Sequence, residues 1–439
     1  MKHFRQIILI PLFFLIGSHT LYADITIQEF NTKKNIHILF VEDQTTDLVS
    51  VFFAFKGTGA KTDPTGKQGL VNLMTQLLME RSTEGSDRTI LQKKLKALGV
   101  LGGFQYAVDR DNISFQFKCP VENLKLVFDT IKVYFSNPTF DSKELAKMKA
   151  FDPASSRLAT SSEQEFASKI LVQKLFNGHP YAHPASGTLD GRQSVTVEDI
   201  KDAFKNRFAQ EVLVFSVVGE LSPKLLVNYI EDTFGVLPEK AKLPKISTAF
   251  LEPDGQTTII PKDSAQSGVV FGQKALPIQN KDYYAFIILN NILGGKPFTC
   301  RLWAEAREKE GLVYSIYTEL LQWKHAELLV GAFESDNTAV QKVIALIRKQ
   351  WEELKDYGVS EEEFQASKTG LLGGYVLNFT SPDGIAQAVL NTYLTDLPTN
   401  YINEHQKRLS DVKLKDVNRI AKKYLDPDHL TFVVVGNPP

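Results

Sequence analysis

The sequence has few of the features that mark a disulfide scaffold, a nucleic-acid binder or a membrane protein. Its 439 residues include two cysteines, Cys119 and Cys300, which lie in different halves of the chain. We expect two buried free thiols rather than a structural disulfide. The 50 basic and 51 acidic residues leave a formal net charge of −1, without a block of lysine or arginine. That balance argues against nucleic acid or an anionic membrane as the main partner.

Signatures of several common enzyme classes are also missing. No Gly-x-Ser-x-Gly motif occurs. Residues 295–299 lack the upstream glycine of a phosphate-binding loop and carry a proline directly after the lysine. His179 and His183 are four residues apart, but each precedes a proline, so they are predicted to lie in a loop and not on one helix face. We therefore expect no metal site at this pair.

The amino-terminal end differs from the rest of the chain. Lys2 and Arg5 precede an apolar run over residues 7–17, and the small residue Ala23 follows. This order is typical of a secretory signal peptide, and the run is too short for a membrane-spanning helix. We therefore expect residues 1–23 to be a bacterial signal peptide and the protein to be periplasmic. An uncleaved membrane anchor is the alternative.

An internal repeat organises the remaining chain. Residues 194–220 align without a gap on residues 411–437, and residues 113–135 align on residues 329–351. The repeat indicates two copies of one domain of ordinary size. The predicted first domain, linker rich in Pro, Lys and Glu, and second domain are residues 24–236, 237–255 and 256–439.

Each copy presents its elements in the same order. Strands come first, followed by a helix, a hairpin, several helices and a last strand. This order predicts an α+β fold in which an antiparallel-rich sheet has helices packed on one face.

The most informative stretch is residues 294–314. A helical pattern over residues 284–293 runs into a Gly-Gly break, and a second helical pattern over residues 301–309 ends near Gly311. Glycine is favoured just after the carboxyl end of a helix. Residues 312–317 then resemble a strand.

This arrangement predicts that Arg307 and Tyr314 come together at a corner between helix and strand. A guanidinium and a phenol placed in this way can both donate a hydrogen bond to one carbonyl of an extended peptide. A solvated helix arginine and a buried tyrosine are the alternative interpretation.

The stretch resembles the C-terminal half of the insulinase (pitrilysin) family of zinc peptidases. A Gly-Gly pair, a Ser-Arg-Leu that is Cys-Arg-Leu at residues 300–302 here, and Arg-Glu-Lys-x-Gly-Leu-x-Tyr at residues 307–314 recur in that family. The resemblance covers essentially all of residues 24–439. It implies that Arg307 and Tyr314 bind substrate, and that the twin domains form a clam-like chamber.

Catalytic members of this family carry His-x-x-Glu-His on the first long helix, after a Gly-Leu pair. Here the Gly-Leu pair at residues 69–70 is followed by Asn72 in place of the first histidine, Thr75 in place of the glutamate and Gln76 in place of the second histidine. Zinc is held by imidazole, thiolate or carboxylate, and none of these three side chains is a general base near neutral pH. We expect all three on the polar face of that helix.

The resemblance also implies a second glutamate about 75 residues further along the chain. Phe151 stands at that distance from Gln76, so this ligand is also missing, unless a small gap in the alignment brings Glu144 or Asp152 to the position.

The sequence is therefore identified as a non-catalytic member of the family. In two-chain bacterial members, the resemblance implies, one subunit supplies the zinc helix and the other supplies the Arg/Tyr pair. This chain would then need no cofactor, its partner would be a zinc-bearing subunit, and the substrate would be a peptide added as a strand to a sheet edge. A stand-alone peptide-binding or scaffold protein and an active zinc peptidase with a relocated site are the alternatives.

Overall fold

A computed structural model describes residues 25–83, 86–136, 138–150 and 162–439. The predicted signal peptide, Phe151 and Asp152 lie outside these residues. Among the described helices, none combines the length and apolar character needed to cross a bilayer.

The amino-terminal half contains a six-stranded sheet. Its strands along the chain are β1 (Gln28–Asn31), β2 (His37–Glu42), β3 (Leu48–Phe55), β6 (Leu101–Val108), β7 (Ile113–Pro120) and β8 (Leu213–Gly219), and β4 (Arg81–Thr83) and β5 (Ser86–Asp87) form a separate two-stranded sheet. The spatial order is β1-β2-β8-β3-β7-β6. The pair β2–β8 is parallel, and the other neighbours are antiparallel.

The carboxyl-terminal half contains a five-stranded sheet of related topology. Its strands are β9 (Thr257–Pro261), β10 (Gln266–Lys274), β11 (Ile316–Trp323), β12 (Ala326–Asp336) and β13 (Thr431–Gly436). The spatial order is β11-β12-β10-β13-β9, in which β13 and β9 are parallel and the other pairs are antiparallel.

Helices pack against both sheets. In the amino-terminal half they are α1 (Leu70–Glu80), α2 (Arg88–Ala97), α3 (Leu124–Ser136), α4 (Ser142–Ala150), α5 (Glu163–Leu175), α6 (Leu189–Ser194), α7 (Val197–Arg207) and α8 (Pro223–Phe234). In the carboxyl-terminal half they are α9 (Tyr283–Asn290), α10 (Arg301–Trp303), α11 (Val340–Tyr357), α12 (Glu361–Leu377), α13 (Pro382–Leu394), α14 (Tyr401–Asp411) and α15 (Leu414–Tyr424). The α+β fold predicted from the sequence is confirmed.

The central strand β3 is apolar except at Ser50, because both of its faces are buried. Phe53 and Phe55 point into the core that contains α1 and α3. Phe52 and Ala54 point to the opposite face, where they contact residues of α13. A strand buried on both faces loses the alternation of polar and apolar residues, as observed here.

The two halves exchange one helix each. From the carboxyl-terminal half, α13 lies against β3 and β8 of the first sheet through Ala386, Val389 and Leu390. From the amino-terminal half, α5 lies against β10 and β13 of the second sheet through residues such as Leu171. The sequence predicted helices on one face of each sheet; each sheet carries in addition one helix of the other half on its second face.

A partly buried carboxylate, that of Asp111, also joins the halves. Asp111 accepts hydrogen bonds from Lys61 Nζ at 2.7 Å, the Tyr181 hydroxyl at 2.6 Å and the backbone N of Lys324 at 3.0 Å. Burial by itself would raise the pKa of Asp111, but the charge of Lys61 and these hydrogen bonds outweigh it and lower the pKa. The tip of the β11–β12 hairpin is thereby held against the first domain.

The second domain contains a histidine enclosed by tyrosines. The ring of His405 stacks on Tyr375 with 4.0 Å between centroids, and its Nδ1 lies 3.2 Å from the Tyr284 hydroxyl. Burial, and then the charge of Arg408, lower the pKa of His405 to about 4.

We expect this histidine to make the folded protein sensitive to mild acid. An unfolded histidine titrates near pH ~6.5, so between that pH and about 4 the unfolded chain binds a proton that the folded chain does not. The free energy of unfolding should therefore fall, by up to about 3 kcal/mol, as the pH drops through this window. Urea titrations from pH 7 to 4 should show a shallower decline for His405→Phe than for the wild type. Equal slopes for the two proteins would contradict the assignment.

Candidate functional site

Helix α1 carries Asn72, Thr75 and Gln76, the positions at which the family resemblance implies zinc-binding side chains, and its start is fixed by Asp63. One carboxylate oxygen of Asp63 accepts a hydrogen bond from the backbone N of Gly69 at 2.7 Å, and the other accepts from the backbone N of Val71 at 2.9 Å. These bonds satisfy amide groups that the first turn of a helix leaves unpaired. Burial raises the pKa of Asp63 to about 6, although both hydrogen bonds oppose the shift.

The first residue of the Gly-Leu pair must be glycine for steric reasons. Gly69 has φ +105°, and a Cβ there would lie 2.6 Å from Cγ of Arg192. Glycine therefore lets the start of α1 lie directly against the segment that carries Arg192.

The buried guanidinium of Arg192 lies beside Asn72, which stands in place of the first histidine of the zinc motif. Asn72 Oδ1 accepts a hydrogen bond from Arg192 Nη1 at 3.1 Å, and the same nitrogen donates to the backbone O of Ser186 at 3.0 Å. Arg192 is 2% exposed. The chain therefore places a fixed positive charge next to the residue that replaces the first histidine, and this charge disfavours a divalent cation there.

Thr75, which stands in place of the glutamate, does not lie on the polar face of α1 as the sequence predicted. Thr75 is completely buried, and its hydroxyl donates to the backbone O of Val71 at 2.9 Å. Asn72 and Gln76 are half-buried, so only these two share the more accessible face of α1. The prediction that all three residues occupy the polar face is wrong, because threonine bonded to its own helix packs as readily as an apolar residue.

The described residues do not fit a zinc ion. They contain no group of three His, Cys, Asp or Glu side chains that could hold a metal. Glu144, on α4, forms an ion pair with Lys147 at 3.0 Å. The prediction at Phe151 falls outside the described residues and stays a prediction.

The histidine pair flanks a single turn of 3₁₀-helix at Pro180–Ala182. His179 Nδ1 accepts a hydrogen bond from the backbone N of Tyr181 at 3.1 Å, and its Nε2 lies 3.0 Å from the backbone O of Ser247. His183 Nδ1 lies 3.1 Å from the backbone O of Pro184. Both imidazole rings therefore contact backbone groups, and the pair lies in a loop as the prolines predicted. Cys119 and Cys300 are buried free thiols, as expected.

The Gly-Gly break in the carboxyl-terminal half ends a helix that continues beyond α9 as a π-helix, Asn291–Gly295. A Cβ on Gly294 would lie 2.6 Å from Thr318 Oγ1 on β11, so glycine is required for the helix end to contact the strand. A second π-helical segment, Ala304–Lys309, follows α10 and carries Arg307. It ends at Lys309, and Gly311 follows two residues later with φ +62°, which matches its predicted role after a helix end.

Arg307 and Tyr314 are in contact, but by stacking. The guanidinium carbon of Arg307 lies 4.6 Å from the ring centroid of Tyr314 and 4.5 Å from that of Trp303. The guanidinium is therefore held between two aromatic rings, a favourable cation–π arrangement. Tyr314 is 81% exposed.

The structure corrects the predicted location of Tyr314. β11 begins at Ile316, so Tyr314 lies in the loop between Gly311 and the strand and not on the strand itself. Within the described part of the chain, no carboxylate forms an ion pair with Arg307. Its planar edges therefore remain available to an acceptor from outside.

Trp303 was not predicted from the sequence as part of the site. It is 8% exposed, and its ring stacks on the guanidinium of Arg307. Residues four apart on a helix lie on one face, so the spacing from Trp303 to Arg307 was an available signal. Phe298 extends the same cluster, with its ring 4.7 Å from that of Trp303 and 68% exposed.

Two family models match the chain. "Insulinase (Peptidase family M16)" matches residues 37–189, and "Peptidase M16 inactive domain" matches residues 194–371. Together these stretches cover most of the chain. The chain belongs to the insulinase (M16) peptidase family.

Relatives within the M16 family include both inactive and zinc-dependent proteins. The "Non-peptidase homolog YmxG" of Helicobacter pylori is 25% identical over all of this chain and 99% of its own length. The "Zinc protease PqqE" of the same organism is 22% identical over 91% of this chain and 90% of its own length. The crystal structure of a peptidase M16 inactive domain from Pseudomonas fluorescens is 22% identical and superposes with a TM-score of 0.87 over 94% of this chain and 98% of its own.

These matches confirm two predictions. The chain is a member of the insulinase family, and it is a non-catalytic one. The absence of zinc-binding side chains at Asn72, Thr75 and Gln76 accounts for the second in chemical terms.

Proposed function

We propose that this M16 protein is the non-catalytic subunit of a two-chain periplasmic peptidase, in which it holds an extended peptide while a zinc-bearing family member cleaves it. The stacked, accessible Arg307–Tyr314 pair carries the proposal. A guanidinium stacked on two rings is partly ordered before a peptide arrives, so binding immobilises less additional side chain.

The chemistry of the pair suits a peptide carbonyl. Arg307 presents several N–H donors along its edges, and Tyr314 adds a hydroxyl donor. Arg307 is a charged donor and Tyr314 is a neutral one. The carbonyl oxygen that accepts from them becomes more negative during hydrolysis, so both hydrogen bonds strengthen in the transition state. The remainder of the peptide is proposed to pair with a sheet edge, for which β6 in the first sheet and β11 in the second are available.

The partner is proposed from chemistry and from the relatives. A chain without zinc ligands needs a zinc-bearing subunit to take part in hydrolysis. In Helicobacter pylori, a non-peptidase homologue and a zinc protease of this family occur together, and this chain resembles both over nine-tenths or more of its length. The periplasmic location follows from the signal-like residues 1–23.

We expect the mature protein alone to contain no stoichiometric zinc and to leave unstructured peptides uncleaved, because α1 offers neutral side chains beside Arg192 where the family resemblance implies zinc ligands. Metal analysis of the purified chain and a fluorogenic peptide assay, with and without chelator, would check this. Adding the zinc-bearing family member of the same organism should produce chelator-sensitive cleavage faster than that member alone. About one zinc per isolated chain would support a relocated site, and a mixture no faster than the partner would support a stand-alone binding protein.

A further inference from the structure

A cavity of about 720 Å³ lies between α2 and the edge strand β6, far along the chain from the Arg307–Tyr314 pair. Thr89, Gln92, Lys93 and Lys96 line one wall, and residues 99–103 line the other. As β6 is the last strand of the six-stranded sheet, one of its sides has no neighbouring strand among the described residues. We call this cavity with its strand edge the α2–β6 groove.

The side chain of Gln92 occupies a strand position in this groove. Its Nε2 donates to the backbone O of Phe104 at 3.3 Å, and its Oε1 accepts from the backbone N of Phe104 at 3.4 Å. One amide thus pairs with both backbone groups of one residue, as the peptide group of a neighbouring strand does. Both distances exceed the usual N–H···O range, so the bonds are weak and easily exchanged.

The backbone is shaped to admit this amide. Gly103 has φ +80°, and a Cβ there would lie 3.0 Å from Gln92 Oε1. A side chain at this position would therefore both strain the backbone and crowd the amide. The register of β6 with β7 is also irregular between Leu101 and Gln105, which separates the groove from the regular part of the edge.

The described lining of the groove carries only positive charge. Lys93 and Lys96 are exposed, and neither forms an ion pair within the described residues. The described residues of the lining include no acidic side chain. The spacing of Gln92, Lys93 and Lys96 puts the amide and both ammonium groups on one side of α2.

We infer that the α2–β6 groove binds an extended acidic segment of the peptide, whose backbone pairs with Phe104 in place of the Gln92 amide and whose carboxylates lie against Lys93 and Lys96. The inference rests on the proposed peptide-holding function and names its substrate class. Backbone pairing supplies a sequence-independent part of the affinity, and the two lysines supply the preference for acidic side chains. Leu101, 54% exposed at the groove, offers an apolar contact to the same segment.

The test uses the full mature chain and two fluorescein-labelled eight-residue peptides, one with Asp and Glu at alternate positions and the other with Asn and Gln there. Anisotropy titrations should show tighter binding of the acidic peptide, with a preference that shrinks as salt is raised. The double variant Lys93→Ala/Lys96→Ala should weaken binding of the acidic peptide about fivefold to tenfold and leave the amide peptide unchanged. Lys94→Ala, which changes an exposed lysine of the same helix outside the groove lining, is the matched control and should alter neither affinity.

A second variant distinguishes the effect of backbone pairing with β6 from the effect of the lysine charges. Gln92→Ala removes the amide that the peptide must displace, so both peptides should bind a few-fold more tightly. Equal affinity for the two peptides, insensitive to the lysine pair but lowered by Arg307→Ala, would overturn this inference and leave the proposed function standing. Failure of the wild-type chain to bind either peptide, with its folding verified by circular dichroism, would overturn both.

Discussion

Replacing Arg307 with alanine should lower peptide cleavage by the reconstituted pair of subunits roughly 30-fold to 150-fold. A charged donor that strengthens its bond in the transition state is worth on the order of 2–3 kcal/mol, and each ~1.4 kcal/mol corresponds to a tenfold change in rate. The change also removes the cation that stacks on Tyr314, so the second donor loses its support. Tyr314→Phe retains the ring and the stack and loses one hydroxyl, so a roughly tenfold loss is expected.

The controls for this prediction lie in the same segment. Lys309→Ala removes an exposed charge two residues away and should leave cleavage unchanged. The melting temperatures of all three variants should stay near that of the wild type, because Tyr314 is 81% exposed and Arg307 lacks a described ion pair. Wild-type cleavage by the mixtures containing Arg307→Ala and Tyr314→Phe would show that the stack is structural, and the scaffold interpretation would then be the better one.

The rebuilt motif Asn72→His/Thr75→Glu/Gln76→His should yield a less stable chain that neither binds zinc nor cleaves peptide. Thr75 is completely buried, so a glutamate there places a carboxylate in the core at a cost of several kcal/mol. The guanidinium of Arg192 lies against residue 72 and repels a divalent cation. Urea unfolding and metal analysis of the triple variant would check both effects.

A double variant separates the loss of stability caused by the buried glutamate from the failure to bind zinc. Asn72→His/Gln76→His leaves Thr75 in place, so its stability should stay closer to wild type while zinc remains unbound for want of a third ligand. A triple variant that binds zinc and cleaves peptide would show that Glu144 or Asp152 supplies the distant ligand, and that Phe151 is not its counterpart.

Many element boundaries were predictable because their signals are local. The side chain of Ser162 caps α5, and Thr196 with Asp199 forms a capping box at the start of α7. Each cap lies directly before the first residue of its helix, Glu163 or Val197. The strand predicted over residues 312–317 was wrong at its start, since residues 311–315 form a loop that precedes β11.

The burial of Thr75 could not be predicted from the pattern of α1. A polar residue among apolar neighbours is normally placed on the solvent side of a helix. Here the side-chain hydroxyl bonds to the carbonyl of Val71 four residues back, so it needs no water and tolerates the core. The exchange of α5 and α13 was equally inaccessible, because an apolar helix face does not record which of two similar sheets will cover it.

The sequence by itself determined that α1 lacks zinc chemistry, since Asn72, Thr75 and Gln76 have no imidazole, thiolate or carboxylate in any fold. It also determined the repeat, the fold class and the family, which depend on patterns spread along the chain. Only the tertiary structure decided that Arg192 fills the space beside Asn72, that Arg307 is stacked between Trp303 and Tyr314, and that Gln92 pairs with the edge of β6. These contacts join segments through side-chain packing and backbone conformation in three dimensions, which residue types and spacings do not specify.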